Sequence, residues 1–390
     1  MLKLLLLLLF FIPSALQAQI TITGKVISVT DKKPVANASI FLSNSKVGNM
    51  SLKDGSFTLS NVKNGQYDLV VTCIGFEPLH QTISVRGNDI QLPTIALKDK
   101  TSLLGEVKIN GGKRKRDYKR ERYIRIFTRE FLGRTKNAAE CKILNPDVLQ
   151  FEYDEPTDRM HATSTDFLVI ENKALGYRIK YLLVSFEFDP INGTMYYTGP
   201  SVFEPMEGTT EQEDNWVNRR VNAYNGSMMS FLRACLVSNV SGAGFKVFEL
   251  FRTPTIGREP DSLINAKVKF YSKHTAGIPQ YWSKQSNMPK FDQYPGKVLK
   301  TNDYLNLTDE KGIYAFGYTP TLHLMINYKH EQNGSNYHTS FITFLDKYTY
   351  FDSNGVISTP LKTVVEGYWQ TLRIADQLPV DYELPNGRTR

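Results

Sequence analysis

The residues best suited to metal chemistry in this sequence are its histidines, because imidazole is the commonest protein ligand for transition metals. One large class of zinc peptidases needs His-x-x-Glu plus a distant histidine, and another needs His-Glu-x-x-His. Neither spacing occurs, since His330-Glu331 is followed by Gln332-Asn333-Gly334 and no histidine has a glutamate three residues on. The six positions are His80, His161, His274, His323, His330 and His338.

Three of these histidines cluster near the C-terminal end. The run from Leu322 to Tyr328 has apolar residues at its even positions, so His323 is predicted to lie on the opposite, polar face of a strand. Two interpretations are open. His323 and His338 share a metal across a hairpin, or they are polar-face histidines that flank a turn at Asn333-Gly334, which is the favoured interpretation.

Other catalytic patterns are missing or have a structural explanation. There is no Gly-x-Ser-x-Gly elbow, and Ser227 is a good N-cap for a following helix. Gly242-x-Gly244 lacks the rest of a dinucleotide fingerprint and is predicted to be a loop. The carboxylates from Glu204 to Asp214 could hydrolyse a glycoside, but a solvated acidic loop is favoured. We therefore predict no catalytic, cofactor-binding or metal-binding residues, and no cofactor.

The three cysteines, Cys73, Cys141 and Cys235, allow at most one internal disulfide. Cys73 continues the alternation of a predicted strand, which places it on the buried face, and Cys235 lies on the apolar stripe of a predicted helix. Small buried hydrophobic residues are the favoured interpretation. Whether Cys141 and Cys235 pair is left open.

The N-terminal segment has the order of a secretory signal peptide. Lys3 supplies a positive charge, Leu4 to Ile12 form a short apolar run, and Ala18 precedes a predicted cut before Gln19. A transmembrane anchor is the weaker alternative, because a bilayer span needs about 20 apolar residues. Residues 1–18 are thus predicted to be a signal peptide, and the mature chain is predicted to be soluble or peripheral.

Short alternating runs separated by turn residues follow, which predicts an antiparallel β-sandwich over residues 19–99. The predicted strands are Ile20 to Val26, Val35 to Leu42, Ser56 to Leu59 and Gln66 to Cys73. The predicted core residues are Val26, Ile40, Phe57, Leu59, Leu69, Val71 and Cys73.

Residues 100–122 are predicted to be a strand and a basic linker. Seven of the ten residues from Lys113 to Arg122 are positively charged, and the whole chain has a formal net charge of +8. Such a run either contacts an anionic membrane surface or is a solvated linker, and the linker interpretation is favoured. Export makes nucleic acid an unsuitable partner.

Residues 123–385 are predicted to be a β-rich α+β domain of unknown function. A helix begins near Asp117 and carries Tyr123, Phe127 and Phe131 on one face. A second helix is predicted from Ser227 to Leu236. The rest is predicted to be mainly strands, ending in Leu378-Pro379-Val380-Asp381-Tyr382.

Five motifs occur in order in the N-terminal domain: Gly24-x-Val26, Pro34-Val35-x-x-Ala38-x-Ile40, Asp54-Gly55-x-Phe57, Gly65-x-Tyr67-x-Leu69 and Ile74-Gly75-Phe76. Together they resemble the carboxypeptidase regulatory-like domain, whose family has a transthyretin-like β-sandwich fold and does no chemistry. Similar domains precede the plug of TonB-dependent outer-membrane receptors in Gram-negative bacteria, and Leu103 to Ile109 resembles the strand that follows them. No plug or barrel array follows here, so receptor transport is not implied.

The second half resembles that of envelope proteins known only by their regulatory-like domain, in Phe131-Leu132-Gly133, Cys141-x-Ile143-x-Asn145-Pro146, Leu175-Gly176-Tyr177, Tyr224-x-Gly226-Ser227 and Gly367-Tyr368-Trp369. The resemblance implies export to the periplasm or outer membrane of a Gram-negative cell envelope. The expected fold class is mainly β, with an N-terminal transthyretin-like antiparallel β-sandwich followed by a larger β-dominated α+β domain.

These features favour a non-catalytic exported cell-envelope protein that acts as a binding or structural module. Its expected partner is an envelope protein or a glycan, with a peripheral contact to an anionic membrane surface left open. The alternatives are an envelope hydrolase acting on glycan or peptide, and an accessory component of a TonB-dependent uptake system. Buried, converging carboxylates or a histidine pair would favour the hydrolase, and an exposed aromatic patch would favour binding.

We predict no metal-dependent peptidase activity, because the ligand spacing for a catalytic zinc is missing. The purified mature protein is incubated with zinc and a peptide library, and the products are analysed by mass spectrometry. We expect intact peptides with and without a chelator. Cleavage that the chelator abolishes would show that the metal ligands come from an unrecognised pattern.

Overall fold

The computed structural model describes residues 20–100, 117–191, 193–329 and 337–385. The predicted signal peptide, the predicted strand from Leu103 to Ile109, the basic residues from Lys113 to Arg116, and His330 with the predicted Asn333-Gly334 turn lie outside the described residues. The chain divides into two compact units. Among the described residues, one unit comprises 20–41 and 47–100, and the other comprises 42–46, 117–191, 193–329 and 337–385.

The first unit is built from two sheets, as the alternation of its sequence predicts. Strand Ile20–Ser28 pairs antiparallel with Ser56–Val62 and parallel with the short strands Ile90–Gln91 and Ile95–Leu97. One sheet has the order β4-β1-β7, with β8 also paired to β1, and the other has the order β3-β2-β5-β6. The strands are β1 (Ile20–Ser28), β2 (Ser39–Leu42), β3 (Gly48–Met50), β4 (Ser56–Val62), β5 (Gly65–Thr72), β6 (Leu79–Val85), β7 (Ile90–Gln91) and β8 (Ile95–Leu97).

The core of this sandwich is formed by the side chains that alternate inwards along its strands. Six of the seven predicted core residues are buried, namely Val26, Ile40, Phe57, Leu59, Leu69 and Val71. The prediction for Cys73 is wrong: it is only half-buried, because β5 ends at Thr72 and the alternation of the strand ends with it.

The second unit contains four antiparallel sheets in the described residues, with the orders β10-β11-β14-β15, β16-β13-β12-β9, β18-β17-β21-β22-β24 and β19-β20-β23. Its strands are β9 (Cys141–Ile143), β10 (Leu149–Asp154), β11 (Arg159–Ser164), β12 (Leu168–Asn172), β13 (Tyr177–Tyr181), β14 (Ser185–Asp189), β15 (Thr194–Thr198), β16 (Ser201–Pro205), β17 (Phe245–Pro254), β18 (Phe291–Val298), β19 (Leu305–Leu307), β20 (Ile313–Phe316), β21 (His323–Lys329), β22 (Tyr337–Phe344), β23 (Thr349–Asp352) and β24 (Thr363–Gly367). Both units confirm the mainly β fold class.

The α-helices of the second unit are α1 (Tyr118–Leu132), α2 (Lys136–Ala139), α3 (Thr210–Tyr224), α4 (Met228–Leu236), α5 (Asp261–His274), α6 (Gln280–Asn287) and α7 (Tyr368–Thr371). Short 3-10 turns occur at Pro146–Val148, Thr301–Asp303, Pro360–Lys362 and Ile374–Asp376. No helix in the described ranges is long and apolar enough to cross a membrane.

Helix α1 begins and packs as its sequence predicts. The Asp117 carboxylate accepts a hydrogen bond from the backbone N–H of Arg120 and so caps the first turn. Phe127 and Phe131 are fully buried on one face, with ring centroids 4.8 Å apart. The Phe127 ring lies 4.9 Å from the ring of Phe186 on β14, so α1 covers the inner face of that sheet.

Helix α4 begins the second hydrophobic core of this unit. Ser227 accepts a hydrogen bond from the backbone N–H of Ser230, which confirms the predicted cap. Phe231 and Cys235 are buried, and the Phe231 ring lies 5.5 Å from the indole of Trp369. All three cysteines are free, so Cys141 and Cys235 do not pair. Burial raises the pKa of the Cys235 thiol to about 12. The thiol therefore stays protonated at neutral pH, which agrees with a role in packing.

Two predictions on secondary structure are wrong. The stretch from Glu204 to Asp214 is not one acidic loop, because Thr209 and Gln212 form a capping box that begins α3. Residues 378–382 are not a strand either. The Arg233 guanidinium donates hydrogen bonds to the carbonyl oxygens of Val380 and Tyr382, at 2.7 Å each. These groups are therefore satisfied by a side chain and not by a neighbouring strand.

We predict that residues 19–99 fold alone, because the sandwich has its own set of buried strand residues. Purified residues 19–99 should give a β-type circular dichroism spectrum and unfold cooperatively in urea. Leu69→Ala should lower the free energy of unfolding by about 2–5 kcal/mol, since it removes a fully buried side chain. Exposed Lys53→Ala is the control. A disordered spectrum for the unsubstituted fragment would show that the boundaries are wrong.

Candidate functional site

The outer face of the β10-β11-β14-β15 sheet carries a row of polar side chains. Along these strands the inner positions pack against the core around α1, including Phe151, Met160, Phe186 and Met195. Successive side chains of a strand point to opposite faces. The residue after each inner residue therefore points outwards, which places Glu152, His161, Glu187 and Tyr196 on the outer face.

Strand register brings these four outer residues into line. Glu152 lies directly opposite His161, His161 opposite Glu187, and Glu187 opposite Tyr196. Neighbouring strands are about 4.8 Å apart, so Glu152 and Glu187 lie about 10 Å apart with the imidazole between them. The row offers carboxylate acceptors, an imidazole and a phenol along one line across the sheet.

An open cavity of about 880 Å³ lies over this row. Its walls add two further carboxylates, Asp154 and Asp189, and the guanidinium of Arg159. Arg159 donates a hydrogen bond to Asp189 at 2.9 Å. Four carboxylates against one guanidinium leave an excess of three negative charges. We call this surface the acidic face, defined by Glu152, Asp154, Arg159, His161, Glu187, Asp189 and Tyr196.

The carboxylates of the acidic face converge but are not buried. Glu152 and Glu187 are exposed to solvent, whereas a carboxylic acid that donates a proton near neutral pH needs an environment that disfavours its charge. The Ser185 hydroxyl lies 3.4 Å from His161 Nε2, a long distance for a nucleophile and its base. The arrangement is therefore suited to hydrogen bonding and charge attraction.

The histidine pair proposed from the sequence does not come together. His323 on β21 is opposite Thr343, and His338 on β22 is opposite Tyr328, so the histidines are five residues apart along the hairpin, or about 17 Å. They also lie on opposite faces, since the pair partner Tyr328 is a core residue. The interpretation that the two histidines share a metal ion is therefore wrong, and so is the prediction that His338 lies on the polar face. Across the described part of the chain, no three His, Cys, Asp or Glu residues could hold a metal ion.

His323 instead belongs to a polar cluster at the edge of the core. Its Nδ1 lies 3.1 Å from the Thr343 hydroxyl, which also accepts a hydrogen bond from Arg252. Arg252 forms an ion pair with Glu366 at 2.5 Å, and its guanidinium is almost completely buried. Burial lowers the pKa of His323, and the positive charge of Arg252 lowers it further.

Part of the basic run is occupied within the second unit. Arg120 donates hydrogen bonds to the carbonyl oxygens of Pro146, Asp147 and Leu149. Lys119 and Arg122 form ion pairs with Glu155. Three of the seven positive charges therefore support the local structure, and the other four lie outside the described residues.

Sequence reasoning missed the acidic face, although a signal was present. The segments Leu149–Asp154 and Ser185–Asp189 alternate apolar and acidic residues, which indicates half-buried strands with an acidic outer side. The pairing that aligns them is not local, because β12 and β13 intervene and belong to another sheet.

Comparison with known families identifies the first unit. Residues 22–109 match the CarboxypepD_reg-like domain family. The chain therefore carries a carboxypeptidase regulatory-like domain, which confirms the resemblance of the five motifs. No curated protein matches the chain.

Solved structures similar to this chain share little sequence with it. They include a type II cohesin–X-dockerin complex from Acetivibrio cellulolyticus (17% identity over 20% of this chain and 56% of that chain, TM-score 0.18) and the pilus 2b backbone protein of group B streptococcus (19% identity over 21% and 41%, TM-score 0.19). A DUF3823 family protein from Bacteroides uniformis has 7% identity over 85% and 98%, with a TM-score of 0.17. This chain thus spans about half the length of the first two.

We predict that His323 makes stability depend on pH. Because its pKa is lowered in the folded state, the unfolded chain takes up a proton first as pH falls below about 6.5, which lowers the free energy of unfolding. His323→Gln should remove this contribution. Urea unfolding at about pH 7.5 and about pH 5.5 should show a smaller loss of stability for the variant than for the native protein.

The matched control for this prediction is His274→Gln, which alters an exposed histidine on α5. An equal loss of stability on acidification in the native protein and in His323→Gln would contradict the prediction.

Proposed function

We propose that the protein is a non-catalytic, exported binding module of the cell envelope, and that its acidic face takes a positively charged segment of an envelope protein. The observation that carries the proposal is the exposed row of Glu152, His161 and Glu187 under an open cavity. The envelope location rests on the signal-peptide pattern of residues 1–18 and on the carboxypeptidase regulatory-like domain.

Charge favours a basic partner over a neutral glycan. The surplus of three negative charges attracts lysine and arginine side chains, which donate charge-assisted hydrogen bonds to carboxylates. Alternate side chains of an extended peptide repeat about every 7 Å. Two long basic side chains of one segment can therefore span the roughly 10 Å between the two glutamates. A neutral sugar can donate hydroxyl hydrogen bonds to these carboxylates, but it carries no positive charge for them to attract.

The exposure of the carboxylates argues for binding over hydrolysis. An inverting glycosidase also uses two carboxyl groups several ångströms apart, but one of them must keep its proton. Both glutamates here are open to water. The proposed function therefore requires no proton transfer.

We predict that a labelled oligolysine peptide binds the purified mature protein with salt-sensitive affinity, measured by fluorescence anisotropy. Glu152→Gln with Glu187→Gln should weaken binding roughly two- to thirtyfold, because two exposed charge pairs are lost. Asp309→Asn with Glu310→Gln, two exposed carboxylates between β19 and β20, is the matched control and should bind as the native protein does.

Two results would contradict the proposal. Equal weakening by both double variants would mean that the attraction is general and not located at the acidic face. Release of sugar or peptide fragments from cell-wall material by the native protein, abolished by Glu152→Gln, would establish the hydrolase alternative.

A further inference from the structure

A helical hairpin interrupts the β17–β18 pair and presents one face to solvent. Helices α5 and α6 both lie between these strands in the chain. One side of α5 is anchored: Ile264 is buried, Asn265 donates a hydrogen bond to the carbonyl oxygen of Ile191, and Lys269 forms an ion pair with Asp158. The opposite side of α5 is left uncovered by the described residues of this unit.

The uncovered side of α5 is both apolar and basic. Leu263, Lys267, Phe270 and His274 follow one another at helical spacing and form a single stripe. Phe270 is 53% exposed, although an aromatic ring gains much from burial. Lys267 lies 5.9 Å from the ring centre of Trp282, which joins α6 to the same surface.

Exposed apolar side chains also flank the helix at both ends. Ile256, in the segment before α5, is 92% exposed, and Ile278, between α5 and α6, is exposed as well. Tyr281 on α6 adds an exposed ring. Exposed apolar and aromatic side chains accompanied by lysines are typical of a helix that lies in the plane of a membrane surface. We call these exposed side chains, together with Lys273 on α5 and Lys284 on α6, the hairpin face.

The charges of the hairpin face indicate what covers it. Lys267, Lys273 and Lys284 have no acidic partner within ion-pair distance in the described ranges. Of the two nearby acids, Asp261 is occupied by Arg258 and Lys290, and Glu259 accepts a hydrogen bond from the Tyr281 hydroxyl, so the face keeps a net charge of about +2 when Glu259 is counted. Three unneutralised lysines would repel a second copy of the same face. They would attract anionic headgroups, while the apolar rings enter the interface between headgroups and acyl chains.

We propose that the hairpin face docks on an anionic lipid membrane surface, with α5 parallel to the bilayer. Phe270 and Ile256 insert at the level of the headgroups, and the three lysines contact lipid phosphates. This surface is separate from the acidic face, so the inference does not depend on the proposed protein partner. It also differs from the basic run between Lys113 and Arg122.

The test is co-sedimentation of the mature protein with vesicles of phosphatidylcholine, with and without phosphatidylglycerol. The native protein should sediment with the anionic vesicles and be released by high salt. Lys267→Gln, Lys273→Gln and Lys284→Gln together should weaken this binding roughly tenfold or more. Phe270→Ser with Ile256→Ser should weaken binding to the anionic vesicles at low salt although all three lysines are kept, because it removes the apolar contribution.

A matched charge control lies in the sandwich. Lys25→Gln, Lys53→Gln and Lys98→Gln remove three exposed lysines and should leave vesicle binding unchanged. A second control replaces Lys113, Arg114, Lys115 and Arg116 by Ser. If only this last variant loses binding, the linker and not the hairpin face contacts the membrane, and the proposal is wrong.

Tryptophan fluorescence gives an independent measurement. Of the three tryptophans, Trp216 and Trp369 are buried, so Trp282 should dominate any change on vesicle binding. Brominated lipid should quench the native protein and leave the emission of Trp282→Phe almost unaltered. Absence of both sedimentation and quenching in the native protein, or self-association lost in Phe270→Ser, would overturn membrane docking.

Discussion

The burial of Phe127 and Phe131 is the interaction on which the site of the second unit depends. Their rings fill the space between α1 and the inner face of the β10-β11-β14-β15 sheet. Each fully buried phenylalanine contributes about 2–3 kcal/mol by burial of apolar area. This contact fixes which side of every strand faces inwards. A slip of one residue would exchange the two faces and drive Glu152 and Glu187 into the core, at a cost far above that gain.

The same alternation explains how far sequence could predict this protein. Elements with a local signal were predicted, such as α1 with its cap at Asp117 and α4 with its cap at Ser227. Helix α5 was missed because it buries only Ile264 and so has almost no apolar period towards the core. Its position is set by tertiary contacts from Asn265 and Lys269. Helix α3 did have a local signal, the capping box of Thr209, but the density of carboxylates around Thr209 favoured the interpretation of a solvated loop.

The acidic face could not be predicted for a different reason. Each strand of the sheet has a readable pattern, but the function of the face arises from the order in which the strands pair. The chain leaves this sheet after β11, builds β12 and β13 into another sheet, and returns with β14. His161 becomes a neighbour of Glu187 only through this non-local step. His323 and His338 are near each other in the sequence and were therefore stronger candidates for a site. In the fold they lie far apart.

Arginine and lysine divide the positive charge of the second unit between structure and surface. Arg120, Arg220 and Arg233 each donate several hydrogen bonds to backbone carbonyl oxygens in irregular segments. A planar guanidinium with five donors can satisfy several carbonyl groups at once, which an ammonium on a flexible chain does less well.

This division bears on how the net charge of +8 should be understood. An arginine whose guanidinium is bonded to backbone carbonyl oxygens is not available to bind a partner. A run of basic residues in the sequence therefore does not by itself predict a basic surface. Arg120 and Arg122 came from such a run and are occupied in the fold. Of the lysines of the hairpin face, Lys273 and Lys284 are exposed, and Lys267 is partly exposed and lies 5.9 Å from the ring centre of Trp282. The positive surface charge of this protein therefore comes from the lysine and arginine side chains that do not donate hydrogen bonds to backbone carbonyl oxygens.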